Sequence, residues 1–166
     1  MKRHAVVRGQ FRYSLTREWE PSPQVVLWVM LNPSTADGTK DDNTVRKCVG
    51  FARRWGFSGL EVVNLYAFRA TSPRDLAGAK YPIGPDNDTV IVGACERARI
   101  AVLAWGNHAE AGRARYVTRL VRNCINRGDA NVFCLGVTQV GQPRHPRVVP
   151  YATPLVHPPF DVLPNY

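Results

Sequence analysis

A chain of 166 residues is the size of one domain built around one core, and a hydrophobic fraction of 45% with four tryptophans excludes a disordered or low-complexity polypeptide. Lysine and arginine outnumber aspartate and glutamate by 22 to 13, giving a formal charge of +9 carried mostly by arginine, whose planar fork matches phosphate geometry; polyanions are the expected partners. Cys48, Cys95, Cys124 and Cys134 are scattered without a Cys-x-x-Cys pair, no signal segment opens the chain and no apolar run reaches membrane length, so the expectation is a cytoplasmic monomer with reduced thiols and no membrane contact.

In chain order, Met1 to His4 reads as frayed and Val6 to Trp19 as a hairpin or a pair of short edge strands. Val25 to Leu31 is the first of four apolar, β-branched runs; the others are Leu60 to Leu65, Ile100 to Trp105 and Val132 to Leu135. Their nearly continuous apolar character is that of strands covered on both faces. Between the first two, Val45, Cys48, Val49, Ala52 and Trp55 fall on one side of a helix over Asp42 to Trp55, with Asp42 or Asn43 as N-cap and Gly56 as the stop. A second helix starts after Asp86 or Asn87 and runs to about Ala98, and a third covers Ala109 to Arg127 with Gly128 closing it. After Pro150 the proline-rich sequence reads as an extended tail. Alternating strands and helices imply right-handed crossovers, hence one domain over residues 1–166 in the α/β class: a three-layer sandwich around a mostly parallel four-stranded sheet.

In such sheets ligands bind beyond the carboxyl ends of the strands, where loops converge. The four strands are followed there by Asn32-Pro33-Ser34-Thr35, by Asn64 and Arg69, by Gly106-Asn107-His108, and by the loop carrying Arg144-His145-Pro146-Arg147. Asn32 either caps a turn or holds a water or carbonyl. Asn64, an amide inside an apolar strand, must have its donors and acceptor satisfied, by a neighbouring loop or by the edge of a base. His145, stiffened by Pro143 and Pro146, is placed to stabilise developing negative charge or to shuttle a proton, or else is a surface residue of a rigid turn. Arg144 and Arg147 beside it suit phosphates. Asp37, Asp41 and Asp42 can activate a water, bind magnesium, or cap the following helix. The dispersed histidines and cysteines give no transition-metal site, and the expectation is neither metal nor cofactor.

The stretches Leu31-Asn-Pro-Ser-Thr-Ala-Asp37, Asp41-Asp-Asn-Thr-Val-Arg46, Val63-Asn-Leu-Tyr-Ala-Phe-Arg69, Leu103-Ala-Trp-Gly106 and Gly141-Gln-Pro-Arg-His-Pro146 closely resemble a bacterial and phage family, domain of unknown function 1643, over about Arg12 to Pro150. The layout also resembles, more loosely, the uracil-DNA glycosylase superfamily, in which an Asn-Pro loop follows the first strand, an asparagine of the second reads the base, and a His-Pro loop follows the fourth. That resemblance implies a four-stranded parallel fold, Asn32 positioning water or stabilising the sugar cation, Asn64 reading the base, and His145 stabilising the base as it leaves, with Tyr66 or Phe68 as the stacking aromatic. Met30 stands where that superfamily has glycine, and Arg147 where it commonly has serine. The expected function is hydrolysis of the N-glycosidic bond of a flipped, normal or modified base in DNA or a nucleotide. The alternatives are a magnesium-dependent nucleotide or phosphoester enzyme using Asp37, Asp41 and Asp42, and a non-catalytic nucleic-acid binding module using Arg53, Arg54, Arg119 and Arg122.

Overall fold

The computed structural model describes residues 1–159. Two strands, β1 (Lys2–Arg8) and β2 (Phe11–Glu18), form a hairpin whose two-residue loop starts at Gly9, where φ is +58°. Four more strands follow: β3 (Val25–Met30), β4 (Gly59–Asn64), β5 (Ile100–Leu103) and β6 (Val132–Cys134). The sheet order is β1-β2-β4-β3-β5-β6, parallel from β4 to β6 and antiparallel where the hairpin joins at β2. The sheet therefore has six strands, mixed in direction, rather than four. The four parallel strands expected from the apolar runs form one side of it, and the hairpin extends it along the edge of β4.

Two details of the hairpin differ from expectation. Lys2 to His4 are paired with Glu18, Arg17 and Thr16 rather than frayed, and β2 is an inner strand, not an edge. Its Arg12, Ser14 and Arg17 are buried because the loop after β3 folds over them and supplies carbonyls and a carboxylate.

Side chains alternate across β3. Val26, Trp28 and Met30 face helix α1 (Asn43–Arg54), whose Val45, Cys48, Phe51 and Ala52 complete that layer with the tilted and stacked rings of Trp28, Phe51 and Trp55. Leu27 and Val29 face the opposite layer, formed by helices α3 (Asn87–Arg97) and α4 (Ala111–Cys124) through Ile91, Ala94, Cys95, Val117 and Val121. The result is a three-layer α/β sandwich, each fully buried Val, Leu or Ile contributing roughly 1.5–3 kcal/mol. A six-residue helix that periodicity does not reveal, α2 (Pro73–Gly78), lies in the β4–α3 connection and is capped by the Ser72 hydroxyl, which accepts from the Asp75 amide at 3.2 Å.

The tail beyond Pro150 runs back over the sheet. Val156 and Cys134 exchange backbone hydrogen bonds of 3.0 and 2.8 Å, and Tyr151 packs edge-on against Phe51; residues 160–166 lie outside the described residues. Burial pushes the Cys95 thiol up to about 12 and raises Cys134. Among the described residues no helix is long and apolar enough to cross a membrane.

Candidate functional site

Beyond the carboxyl ends of β3, β4, β5 and β6 lies a crevice of about 570 Å³, within the usual range of small-ligand pockets. Its floor is Met30, Val62 and Asn64; its walls come from Asn32, Ser34 and Thr35 after β3, Trp105, Gly106, Asn107 and His108 after β5, and Thr138, His145 and Arg147 after β6. Backbone bonds tie these loops in pairs. Ala70 donates to Pro33 at 2.9 Å, linking the loops after β4 and β3, and Gly106 donates to Pro143 at 2.9 Å, linking those after β5 and β6. Gly106 has φ of +76°, a conformation that admits glycine without strain.

Asn64 is 1% exposed, and its amide nitrogen has no hydrogen-bond partner. Its own backbone carbonyl is held instead by the fully buried Asn87, whose amide nitrogen also bonds Leu65, while the Arg113 guanidinium donates to the Leu65 carbonyl at 2.8 Å. The end of β4 is thus rigidly fixed around a side chain that is itself unsatisfied. An orphaned buried donor of this kind costs about 1–3 kcal/mol.

Asn32 is used differently. Its amide nitrogen donates to the carbonyls of Ala70 at 2.8 Å and Pro33 at 3.1 Å, which fixes the amide's orientation and leaves Oδ1 as the atom it offers. Both the turn-capping and the ligand-holding readings of Asn32 are therefore compatible with its geometry.

His145 lines the crevice with Nδ1 accepting the Arg147 amide at 3.2 Å. The neutral ring then carries its proton on Nε2, a donor. Burial and the Arg147 charge lower its pKa from 6.5 to about 4 against the opposing pull of Asp42, so the imidazole is neutral at pH 7.

The acidic stretch is sorted by the fold. Asp37 Oδ1 accepts from the Thr39 amide (2.7 Å), the Thr39 hydroxyl (2.9 Å) and the Lys40 amide (2.8 Å), bonds that hold its pKa down at about 2. Asp41 is ion-paired at 2.7 Å with the wholly buried Arg17 and at 3.6 Å with Arg3. Neither lines the crevice. Asp42 does: Oδ1 caps α1 by accepting from Val45 at 2.8 Å, and Oδ2 has no hydrogen bond among the described residues. Among the described residues no group of three His, Cys, Asp or Glu is placed to hold a metal ion. The three carboxylates expected to act together are divided between a turn, an ion pair and the crevice.

Arg12 is a lining residue that sequence reasoning missed, because a polar residue in a presumed edge strand suggests exposure. It is 3% exposed, its Nη1 donates to the Ala36 carbonyl at 2.6 Å, and its Nε has no partner. Desolvation brings its pKa down to about 10; Asp42 opposes that shift while Arg69 and Arg17 add to it. Among the described residues, the one ring larger than imidazole in the crevice lining is Trp105, whose Nε1 donates to Gln142 at 2.8 Å. Tyr66 and Phe68, the expected stacking aromatics, lie elsewhere: Tyr66 is packed in the α3–α4 layer with its oxygen accepting the Glu110 amide at 3.2 Å, and Phe68 lines an adjoining groove with Arg69. Arg144 is exposed and its Nε donates to the Val137 carbonyl at 3.0 Å, bracing the loop without lining the crevice. Pro33 is buried beside it.

No curated protein and no solved structure matches the chain. The family model described as "Protein of unknown function (DUF1643)" matches residues 12–147, a span that includes every wall of the crevice except Val148; the chain belongs to that family.

Proposed function

We propose that the crevice receives a single nucleobase and that the chain is a base-processing hydrolase that cleaves its N-glycosidic bond. The observation that carries this reading is Asn64: a buried amide that lines a pocket of small-ligand size, with a nitrogen lacking a partner among the described residues, suits the carbonyl and imide edge of a base. Met30, Val62 and Trp105 supply flat apolar surface around it.

The remaining groups suit the bond to be broken. As the C1′–N bond breaks, its electron pair moves onto the base, where the Nε2–H of neutral His145 stabilises the developing charge by donating a hydrogen bond. Asn32 Oδ1 orients a water, Asp42 Oδ2 takes its proton, and the water oxygen forms the new bond to C1′. Arg12, its pKa lowered to about 10 chiefly by burial, is still a cation at neutral pH and places a positive charge beside the crevice. Because Asp37 and Asp41 are engaged elsewhere, the magnesium-dependent reading has little geometric support.

The test is incubation with DNA carrying uracil, hypoxanthine and a panel of modified pyrimidines, with released bases detected by mass spectrometry. Release is expected from the wild type, with a loss of about 10²-fold or more in Asn64→Ala, His145→Ala and Asp42→Asn, the usual size of positioned acid–base contributions. Absence of release from every substrate, together with unchanged DNA affinity in Asn64→Ala, would overturn the reading in favour of a binding module.

A further inference from the structure

The crevice does not end at its own rim. A second, more open groove of about 680 Å³ is lined by Phe68, Arg69 and Arg74 and shares Ser34, Thr35, Ala70 and Thr71 with the crevice, so that the two form one continuous depression. Its cations are under-used. The Arg69 side chain makes one hydrogen bond among the described residues, a long one of 3.4 Å from Nε to the Ser34 carbonyl, and neither terminal nitrogen has a partner there. Arg74 is exposed and forms no ion pair or hydrogen bond among the described residues. By contrast Arg3, Arg8, Arg17, Arg97 and Arg113 each have a carboxylate partner.

Arg69 is also near enough to Arg12 and Asp37 to perturb both, which places it close to the crevice. Two guanidiniums, Arg69 and Arg74, line the groove against one carboxylate, Asp75, with hydroxyls of Ser34, Thr35 and Thr71 in the same lining; the surplus positive charge favours an anion, and the guanidinium fork matches a phosphate bidentately. Hydroxyl and arginine donors are the groups that position nucleic-acid backbones.

We propose that this groove holds the phosphodiester next to the nucleotide whose base enters the crevice, so that the substrate is a polynucleotide strand rather than a free nucleoside or mononucleotide. The inference rests on the base-binding reading for its substrate class, but the groove is tested through phosphate, independently of Asn64.

The experiment compares wild type with an Arg69→Gln/Arg74→Gln double variant and with Arg115→Gln/Arg127→Gln, which removes two exposed cations from α4 and the turn that follows it. Circular dichroism melts first establish that all three fold alike. Binding of a fluorescein-labelled, mixed-sequence 12-nucleotide single strand is then followed by anisotropy across a salt series, with the four deoxynucleoside 5′-monophosphates as competitors. The groove variant should bind the strand at least tenfold more weakly, and the slope of log K against log salt should shallow by about 0.7, the contribution of the one single-strand phosphate that the protein no longer neutralises. The control variant should keep the wild-type slope. Equal losses in both variants, or an unchanged slope in the groove variant, would overturn the proposal. Mononucleotides competing as strongly, per molecule, as an unlabelled strand would overturn it too, by assigning the groove to a terminal phosphate. If Asn64→Ala leaves strand binding and base release untouched while the groove variant behaves as expected, the base reading fails and the phosphate groove stands.

Discussion

Replacing Asn64 with leucine should make the protein more stable and less active at once. The side chain is 1% exposed and its amide nitrogen has no partner, so the folded state carries a desolvation cost of about 1–3 kcal/mol that the unfolded chain, hydrated at the same group, does not. Leucine has asparagine's heavy-atom count and branching and removes that cost, at the expense of bulkier methyl groups; its neighbours on the crevice floor, Met30 and Val62, are apolar and accept it without a new polar mismatch. A net gain of about 1–2 kcal/mol is expected after allowing for imperfect packing, which at about 2–4 °C per kcal/mol for a chain of this size raises the melting temperature by about 2–8 °C. Thermal and urea unfolding followed by circular dichroism measure the gain, and base release from modified DNA measures the loss. A drop of several degrees in Asn64→Leu would refute the reasoning, because it would mean that the amide stabilises the fold through a bond of its own and is not held ready for a ligand.

Two further outcomes follow from the surroundings of the crevice. Arg17 is wholly buried and binds Asp41 together with the carbonyls of Asp37 and Thr16; Arg17→Met should cost about 3–5 kcal/mol in urea unfolding by leaving that carboxylate and those carbonyls without their donor, and a loss below about 1 kcal/mol would show that the acidic loop is held by other means. For His145 the sign is set by a folded-state pKa lowered to about 4 from 6.5, chiefly by burial. Between those values the unfolded chain takes up a proton that the folded chain refuses, so stability is full above pH 6.5 and declines as pH falls towards about 4, by less than about 3 kcal/mol at about 1.4 kcal/mol per pH unit. His145→Gln should flatten that decline; a decline of the same size in the variant would mean that another group sets it.

The parallel strands were legible because burial on both faces writes itself as apolar runs, Val25 to Leu31 and Leu60 to Leu65 most clearly, and α1 because Asp42 or Asn43 at its start and Gly56 at its end bracket it, Asp42 being the one that caps. The hairpin's inner strand was not, since Arg12, Ser14 and Arg17 carry the polar signature of an exposed strand and are buried only through partners that arrive from 20 or more residues away. Local pattern cannot report a long-range partner. The same reason explains why Arg12 was missed as a crevice residue and why α2, six residues long, left no periodic trace. Asn32, Asn64, Gly106, Asn107, His145 and Arg147 were legible as a group because each stands at or just beyond a strand end, and the topology that brings strand ends together follows from the strand–helix alternation. Tyr66 and Arg144 satisfied the same positional criterion and still fell outside the crevice. In both cases the direction of the side chain, which position alone does not determine, decided the outcome.

Long-range partners also divide the acidic loop. Three carboxylates within six residues look interchangeable in sequence, yet they have different fates because β2 threads Arg17 beneath the loop and so claims Asp41, while the turn at Asp37 closes on its own amides. What remains is one carboxylate, Asp42, anchored at one oxygen by the first turn of α1 and raising the pKa of both Arg12 and His145 against the burial that lowers them. A loop designed only to cap a helix would need Asp42 alone. The added ion pair and the added turn fix the backbone on the N-terminal side of that cap, which is the support a carboxylate requires if its free oxygen is to meet a water at a defined distance. The energetic cost of the arrangement appears in the unsatisfied nitrogens of Asn64 and Arg12, both in the crevice lining. Trp28 Nε1 and Asn87 Oδ1 also lack partners among the described residues, away from the crevice lining, so it is the position of the Asn64 and Arg12 nitrogens at the crevice, and not their lack of partners alone, that fits residues set by binding.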